Sequence, residues 1–241
     1  MDYNEKTLDC QRRRGDAMAK KRTKKGALLV ISGFSGVGKG TVIRHLMSTH
    51  PDYAFSVSAT TRPPRPGEVH GKDYFFVDRD TFEKWVEEDK FLEYARFFEK
   101  AYGTLKDHVE DLRNQGKTVI LDIEVEGARN VMKACPEAVS VYIIPPSAAE
   151  LKRRIEGRGT ETKEQIRARM EKALSEADIV PEYRHLVVND EADAAAEEIH
   201  GLLNRRKKTR MPREDALELT KQIQADLRNF LQEEENCDKI N

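Results

Sequence analysis

Three glycines and a lysine directly after an apolar run are the residues whose spacing most clearly indicates chemistry. Residues 33–41 read Gly-Phe-Ser-Gly-Val-Gly-Lys-Gly-Thr and follow the apolar stretch 27–32. A glycine-rich turn between a buried strand and a helix aims backbone N–H groups and the positive end of the helix at one point. Lys39 adds a full positive charge there. The pattern predicts a phosphate-binding loop, or P-loop.

The loop departs from the usual pattern at one position. Gly40 follows Lys39, where Ser or Thr normally offers a hydroxyl to Mg²⁺, and Thr41 comes one residue later. A tight structural turn with an exposed lysine is the alternative interpretation, but the apolar residues on both sides of the loop favour phosphate binding. The predicted nucleotide contacts are Gly33, Phe34, Ser35, Gly36, Val37, Gly38, Lys39, Gly40 and Thr41, with Thr41 as a possible metal ligand.

Two pairs of arginines are candidates for further phosphate contacts. Arg62 and Arg65 enclose two prolines, and a stiff loop can hold guanidinium forks ready for bidentate phosphate binding. Arg154 and Arg158 are four residues apart, so on a helix they share a face. In both places the alternative is ordinary solvated surface charge.

The bulk composition excludes several classes of protein. The chain has 241 residues and a formal net charge of −1, which predicts neither a nucleic-acid nor a membrane partner. Cys10, Cys135 and Cys237 form no CxxC pair and no metal-binding spacing, which favours a reducing, cytoplasmic setting. The sequence contains no apolar run long enough to cross a bilayer and no signal-peptide core.

Strands and helices alternate along the chain, which predicts an α/β fold with a buried parallel sheet. Proline, glycine and alternating polarity in 55–77 predict a small antiparallel insert instead. The predicted strands cover 28–32, 55–59, 73–77, 118–123, 139–144 and 185–188. The predicted helices cover 39–49, 80–89, 105–115, 126–134, 147–157, 163–177 and 192–204.

The two ends of the chain are more polar than its middle. Residues 1–25 carry nine Lys/Arg against four Asp/Glu, which predicts a flexible basic tail. A second basic segment begins at residue 205, and a helix with one apolar stripe is predicted over 213–232. That stripe fits packing on the same domain and also fits a subunit contact, so a homo-oligomer stays open.

Several segments, in order along residues 26–204, resemble guanylate kinases. They begin with Ser58-Ala59-Thr60-Thr61-Arg62-Pro63-Pro64-Arg65-Pro66-Gly67-Glu68-Val69-His70-Gly71-Lys72-Asp73-Tyr74-Phe75-Phe76-Val77. They continue with Phe91-Leu92-Glu93-Tyr94, Tyr102-Gly103-Thr104, Leu121-Asp122-Ile123-Glu124, Arg154 to Thr162, and Val188-Asn189-Asp190. The resemblance implies a P-loop nucleoside monophosphate kinase-like fold: a parallel sheet flanked by helices, a small GMP-binding insert and a mobile lid. The implied core is 26–54, 117–146 and 183–204, the insert 55–116 and the lid 147–182.

The resemblance also implies roles for single residues. It places the GMP phosphate on Arg62, Arg65, Tyr74 and Tyr102, and guanine near Ser58, Glu93, Thr104 and Asp122. It brings Arg154, Arg158 and Arg169 to the ATP phosphates as catalytic groups beside Lys39, and Asn189 to the ATP site. The implied substrates are ATP, with Mg²⁺, and GMP or dGMP.

Glu93 has a physical reason to select guanine. Guanine presents N1–H and the N2 amine side by side, and one carboxylate can accept both hydrogen bonds. Adenine presents an acceptor at N1, which would face the carboxylate lone pairs and leave a buried group unpaired. A solvated glutamate is the alternative interpretation if Glu93 is considered alone.

Two other functions remain as alternatives. Guanylate-kinase-like modules of scaffold proteins keep the fold and bind proteins, but Lys39 and the arginines of the predicted lid argue against that role. A kinase acting on another small phosphate acceptor would not need Ser58, Glu93 and Tyr102 together. Phe34 and Glu124 depart from the residues usual in the family, and the Phe34 departure is expected to alter loop stiffness more than chemistry. The departure at residues 98–101 concerns the fine geometry of the guanine site and not the reaction class.

Overall fold

The computed structural model describes residues 24–97, 99–157, 162–204 and 208–240. Its strands are β1 (Leu28–Gly33), β2 (Tyr53–Phe55), β3 (Ala59–Thr60), β4 (Phe75–Phe76), β5 (Phe91–Phe97), β6 (Lys100–Leu105), β7 (Thr118–Asp122), β8 (Val139–Ile144) and β9 (His185–Val188). Its helices are α1 (Lys39–Thr49), α2 (Arg79–Glu87), α3 (Lys106–Asn114), α4 (Val125–Ala134), α5 (Ala148–Glu156), α6 (Lys163–Glu176), α7 (Ala192–Leu203) and α8 (Arg213–Ile240), with a 3₁₀ turn at Ala177–Glu182.

A five-stranded parallel sheet, ordered β2-β7-β1-β8-β9, forms the centre of the fold. Its central strands are continuous apolar runs, and residues such as Leu29, Ile120 and Ile143 are fully buried. Such runs are typical of a parallel sheet covered on both faces. The predicted α/β fold with its parallel sheet is confirmed.

A second sheet, ordered β4-β3-β6-β5, differs from the predicted insert. It is mixed, because β3 pairs with β4 in parallel and with β6 in antiparallel orientation. The prediction of one strand over 55–59 was wrong: 53–55 joins the central sheet and 59–60 joins the second. The β5–β6 hairpin was not predicted, because its charged and polar residues interrupt the apolar alternation on which a strand prediction depends.

Capping side chains mark the starts of helices α5 and α6. The side chain of Ser147 accepts a hydrogen bond from the backbone N–H of Glu150 at the start of α5. Thr162 and Gln165 form a reciprocal capping box at the start of α6. These caps mark the starts of α5 and α6, and most helices begin and end within about two residues of the predicted bounds.

The C-terminal helix α8 packs on the same chain. Ala216, Ile223 and Leu227 are essentially fully buried, and the helix contacts α5, α6, the 3₁₀ turn and β9. The apolar stripe of α8 therefore packs within the domain, which was the first of the two interpretations given for it. The helix continues to residue 240, beyond the predicted end. Within the described residues, no helix combines the length and apolarity that a membrane span needs.

Candidate active site

The P-loop crosses from the end of β1 to the start of α1. Gly36 and Gly38 have positive φ angles of 88° and 92°, which glycine adopts without strain. Neither has room for a side chain, since a Cβ on Gly36 would lie 2.5 Å from the Cγ1 of Ile155 and one on Gly38 2.9 Å from the Asn189 amide nitrogen. Helix α1 begins without a side-chain cap, so its first N–H groups are left to the loop and to a ligand.

A cavity of about 260 Å³ lies over this loop. Its wall includes residues 32–41 and, from other elements, Arg44, Glu124, Lys172 and Glu176. The backbone N–H of Ser35 donates to the Glu176 carboxylate at 2.7 Å. Burial raises the pKa of Glu176, and that hydrogen bond partly opposes the shift. A carboxylate on α6 thus fixes one edge of the loop.

A second cavity, of about 960 Å³, lies between the two sheets and shares a wall with the first. Lys39, Ile123, Glu124 and Lys172 line both cavities. The ammonium of Lys39 lies 2.5 Å from Oδ1 of Asp122, which also lines the second cavity. Two ligands bound in these cavities would therefore meet at a cation, the arrangement that transfer of an anionic group requires.

Glu93 lies in the wall of the second cavity together with Ser58. It is 8% exposed, and its Oε1 accepts a hydrogen bond of 2.6 Å from the hydroxyl of Thr104, its partner across the hairpin. Burial raises the pKa of Glu93, and the Thr104 hydrogen bonds partly oppose the shift. Thr104 is itself fully buried, so it supports the carboxylate from behind and is not part of the cavity wall.

The predicted phosphate clamp is only partly assembled around the cavity. The guanidinium of Arg62 makes two hydrogen bonds of 2.7 Å to the Glu68 carboxylate and lies 5.0 Å from the centre of the Tyr74 ring. This pairing raises the pKa of Arg62 and lowers that of Glu68 to about 2. Tyr74 and Tyr102 line the cavity, whereas the Arg65 side chain is exposed outside its wall.

The arginines predicted to belong to a lid occupy different positions. The guanidinium of Arg154 donates to the backbone carbonyls of Val37 and Asn189 at 3.0 and 2.9 Å, and it also pairs with Glu150. It therefore holds the base of the P-loop and is outside both cavity walls. Arg169 is half-buried on α6. Arg158 lies outside the described residues.

Two residues predicted at the ATP site face inward. Asn189 is buried, and its amide donates to the carbonyl of Val37 at 2.8 Å, so the side chain supports the loop from below. The Phe34 ring is 2% exposed and meets the Tyr142 ring edge to face at 5.5 Å. The aromatic side chain anchors the loop in the core, and only the backbone of this position is available to a phosphate.

Sequence reasoning missed two residues on α6, Lys172 and Glu176. The ammonium of Lys172 contacts both Glu124 oxygens at 3.2 and 3.1 Å and lies 3.8 Å from Glu176. No motif marks these residues, because ordinary charged helix residues look alike in sequence. Only the packing of α6 beside the P-loop brings them to the cavities.

Comparisons with known proteins show which family the chain resembles. The family model that matches is described as guanylate kinase and covers residues 25–206. Guanylate kinases of Clostridioides difficile (strain 630) and Bacillus anthracis are 43% and 48% identical over 184 residues, spanning 76% of this chain and 90% and 89% of theirs. The crystal structure of guanylate kinase from Anaplasma phagocytophilum superposes with a TM-score of 0.59 at 32% identity, covering 78% of this chain and 89% of that one. The chain belongs to the guanylate kinase family.

Proposed function

We propose that this protein transfers the γ-phosphoryl group of ATP to GMP, giving ADP and GDP. The observation that carries the proposal is the wall shared by the two cavities, in which Lys39 faces both. One cavity has the glycine-rich backbone that suits the donor phosphates, and the other has the buried carboxylate that suits guanine. Family membership supports the same pair of substrates.

The donor side uses the P-loop, residues 33–41. Its N–H groups and Lys39 bind the phosphates of ATP, and Lys39 stabilises the charge that develops on the transferred group. Arg154, Arg158 and Arg169 complete the charge neutralisation when the lid, residues 147–182, closes on the nucleotide. Because Arg154 is bonded to the base of the loop, its share in this step requires those bonds to exchange. Asn189 holds the loop from below.

The acceptor side uses the second cavity. The carboxylate of Glu93, held by Thr104, accepts N1–H and the N2 amine of guanine, and Ser58 and Asp122 complete the base site. Arg62, Arg65, Tyr74 and Tyr102 hold the phosphate of GMP. The phosphate monoester is largely dianionic at neutral pH, so its oxygen attacks without a general base. No predicted residue selects against deoxyribose, and dGMP is therefore a substrate in this proposal.

The oxygen groups around the donor cavity suit Mg²⁺ that arrives with ATP. Thr41 presents a hydroxyl and Glu124 a carboxylate in its wall, and Mg²⁺ binds such oxygens together with substrate phosphates. Within the described residues no cluster of three or more His, Cys, Asp or Glu forms a metal cage. Thr41 is the residue that would hold the ion, which supplies charge neutralisation at the phosphates. Its hydroxyl also accepts a hydrogen bond of 2.9 Å from Arg44.

The proposal includes a cytoplasmic location, supported by the cysteine pattern and by the metabolic substrates. Residues 55–116 act as the GMP-binding insert and the remaining core supports the sheet and P-loop. The partners are small molecules, without nucleic acid or membrane. Self-association stays a prediction, and light scattering after size exclusion would measure it.

The deciding experiment is a coupled assay of ADP release with ATP and Mg²⁺ that compares GMP, AMP, UMP, CMP and a ribose bisphosphate. We expect turnover with GMP alone and a loss of kcat of about 10²-fold or more in Lys39→Ala, because the developing charge loses its cation. Lys133→Ala, an exposed lysine on α4, is the matched control and keeps full activity. Turnover only with a ribose phosphate would favour another acceptor, and a folded protein inactive on every acceptor would favour the protein-binding module.

A further inference from the structure

A glycine in helix α4 faces the carboxylate that the proposed function assigns to guanine. Gly127 is buried at the third position of α4, and this helix packs on strand β5, which carries Glu93. A Cβ built on Gly127 would lie 2.5 Å from Oε2 of Glu93 and 3.1 Å from its carboxyl carbon. Because Gly127 has no Cβ, the Glu93 carboxylate can occupy the space next to its Cα.

The backbone conformation at Gly127 does not require glycine. It lies in regular helix and is absent from the residues with positive φ. Glycine in a helix lowers stability relative to alanine, because it loses more conformational freedom on folding. Alanine would therefore make helix α4 more stable at this position. The structure gives one reason for glycine, which is that the Glu93 carboxylate leaves no space for a Cβ.

We infer that Gly127 is a specificity-determining residue, which sets the position of the Glu93 carboxylate from behind so that both oxygens can face guanine. Thr104 fixes one oxygen by a hydrogen bond of 2.6 Å, and the Cα of Gly127 sets the limit for the other. The inference rests on the proposed function, since it concerns how that function selects its base.

Alanine at this position should move the carboxylate and leave the fold intact. Oε2 would have to withdraw by roughly 0.9 Å to reach 3.4 Å, where ordinary van der Waals contact begins. The atom is the far end of a side chain, so the helix and hairpin need not shift. A carboxylate displaced by about 1 Å can no longer accept well-aligned hydrogen bonds from both N1–H and the N2 amine of guanine.

The test compares Gly127→Ala with the wild type on GMP and on IMP, which has N1–H but lacks the N2 amine. We expect kcat/KM for GMP to fall about 10- to 100-fold and that for IMP to fall less, so that the GMP-to-IMP preference drops about tenfold. The melting temperature should stay within a few degrees. Val131→Ala removes a buried side chain from the same helix, and it should lower stability with no change in base preference.

A double-mutant cycle identifies the contact itself. In a Glu93→Ala background there is no carboxylate to displace, so adding Gly127→Ala should cost no further activity on GMP. Equal losses on GMP and IMP, or an equal loss in both backgrounds, would overturn the inference. A wild-type protein inactive on GMP would instead overturn the proposed function, so the two failures are distinguishable.

Discussion

At the scale of single residues, the fold treats two buried charged groups, Glu93 and Arg62, in opposite ways. Glu93 is almost fully buried, and burial is the largest cause of its raised pKa. Arg62, which is also buried, keeps its charge through a bidentate pairing with Glu68. The charge of Arg62 is compensated by Glu68 inside the protein. The charge of Glu93 is left for the hydrogen-bond donors of a ligand to compensate.

Glu93→Gln should therefore stabilise the protein while it removes activity on GMP. A carboxyl group whose folded pKa lies above its unfolded value stabilises the fold at low pH, and that stability is lost as pH rises through the folded pKa. Glutamine carries no such cost. We expect a rise in melting temperature of about 2–4 °C at pH 7, which corresponds to about 1 kcal/mol in a chain of this size.

The same substitution presents an amide donor to the two donors of guanine, so kcat/KM for GMP should fall about 10²-fold or more. Thermal unfolding of both proteins at pH 7 and pH 4 checks the sign, because the difference should vanish when the wild-type carboxyl is protonated. A variant less stable than the wild type at pH 7, or one equally active, would contradict the role assigned to the buried charge.

At the scale of elements, the P-loop is held by helices from the predicted lid. Helix α5 supplies Arg154 to the carbonyl of Val37, and α6 supplies Glu176 to the N–H of Ser35. Movement of these helices would be transmitted to the loop through two charge-assisted hydrogen bonds. The proposed donor site and the predicted lid are therefore linked by contacts that are present without a bound nucleotide.

Glu176→Ala should weaken ATP binding and leave GMP binding unchanged. The substitution removes a carboxylate bonded at 2.7 Å to Ser35, and hydrogen bonds to charged groups contribute about 1.5–3 kcal/mol. We expect KM for ATP to rise about tenfold, with KM for GMP within twofold, because Glu176 is not in the acceptor wall. Glu171→Ala, on the exposed side of α6, is the matched control. Equal changes in both KM values would show that Glu176 only supports the fold.

Elements were predictable where local signals decide them. Local sequence predicts β1, β7 and β8 from their apolar runs. It also predicts the starts of α5 and α6 from the capping residues Ser147 and Thr162. The β5–β6 hairpin was missed because Glu93 and Thr104 are polar although they are buried, which breaks the apolar alternation of a strand. The glycine-rich loop and Glu93 could be singled out from the sequence, and their roles in binding phosphate and guanine stay predictions. The placement of Gly127, Lys172 and Glu176 depends on contacts between distant segments.

At the scale of the whole molecule, the C-terminal segment beyond the matched family region is part of the domain. Family similarity ends at residue 206, yet Arg210 contacts the buried carboxylate of Glu198 at 2.6 Å and Asp190 at 2.9 Å. Asp190 in turn offers its carbonyl to Arg154 at 3.3 Å. A chain of polar contacts thus links the added segment, through the end of β9, to the base of the P-loop.

Arg210→Ala should destabilise the whole domain, because it leaves Glu198 buried at 3% side-chain exposure without its guanidinium. Removing one partner of a fully buried pair costs about 3–5 kcal/mol, but Arg210 is 44% exposed, so solvent reduces the loss to about 2 kcal/mol. We expect the melting temperature to fall by about 4–8 °C. Lys221→Ala, which breaks an exposed pair with Glu218 on α8, should change it by less than about 1 °C.

Adding Glu198→Gln to the Arg210→Ala variant shows whether the unpaired Glu198 charge causes the fall in melting temperature. The neutral amide removes the unpaired charge and can still accept the backbone N–H of residue 210, which donates to Glu198 at 2.8 Å in the wild type. We therefore expect the double variant to recover at least half of the lost melting temperature. If it recovers none, the loss comes from the contacts of Arg210 with Asp190 and the carbonyl of Val188. The C-terminal segment would then stabilise the domain through the end of β9, next to the P-loop, and its effect should appear in KM for ATP as well.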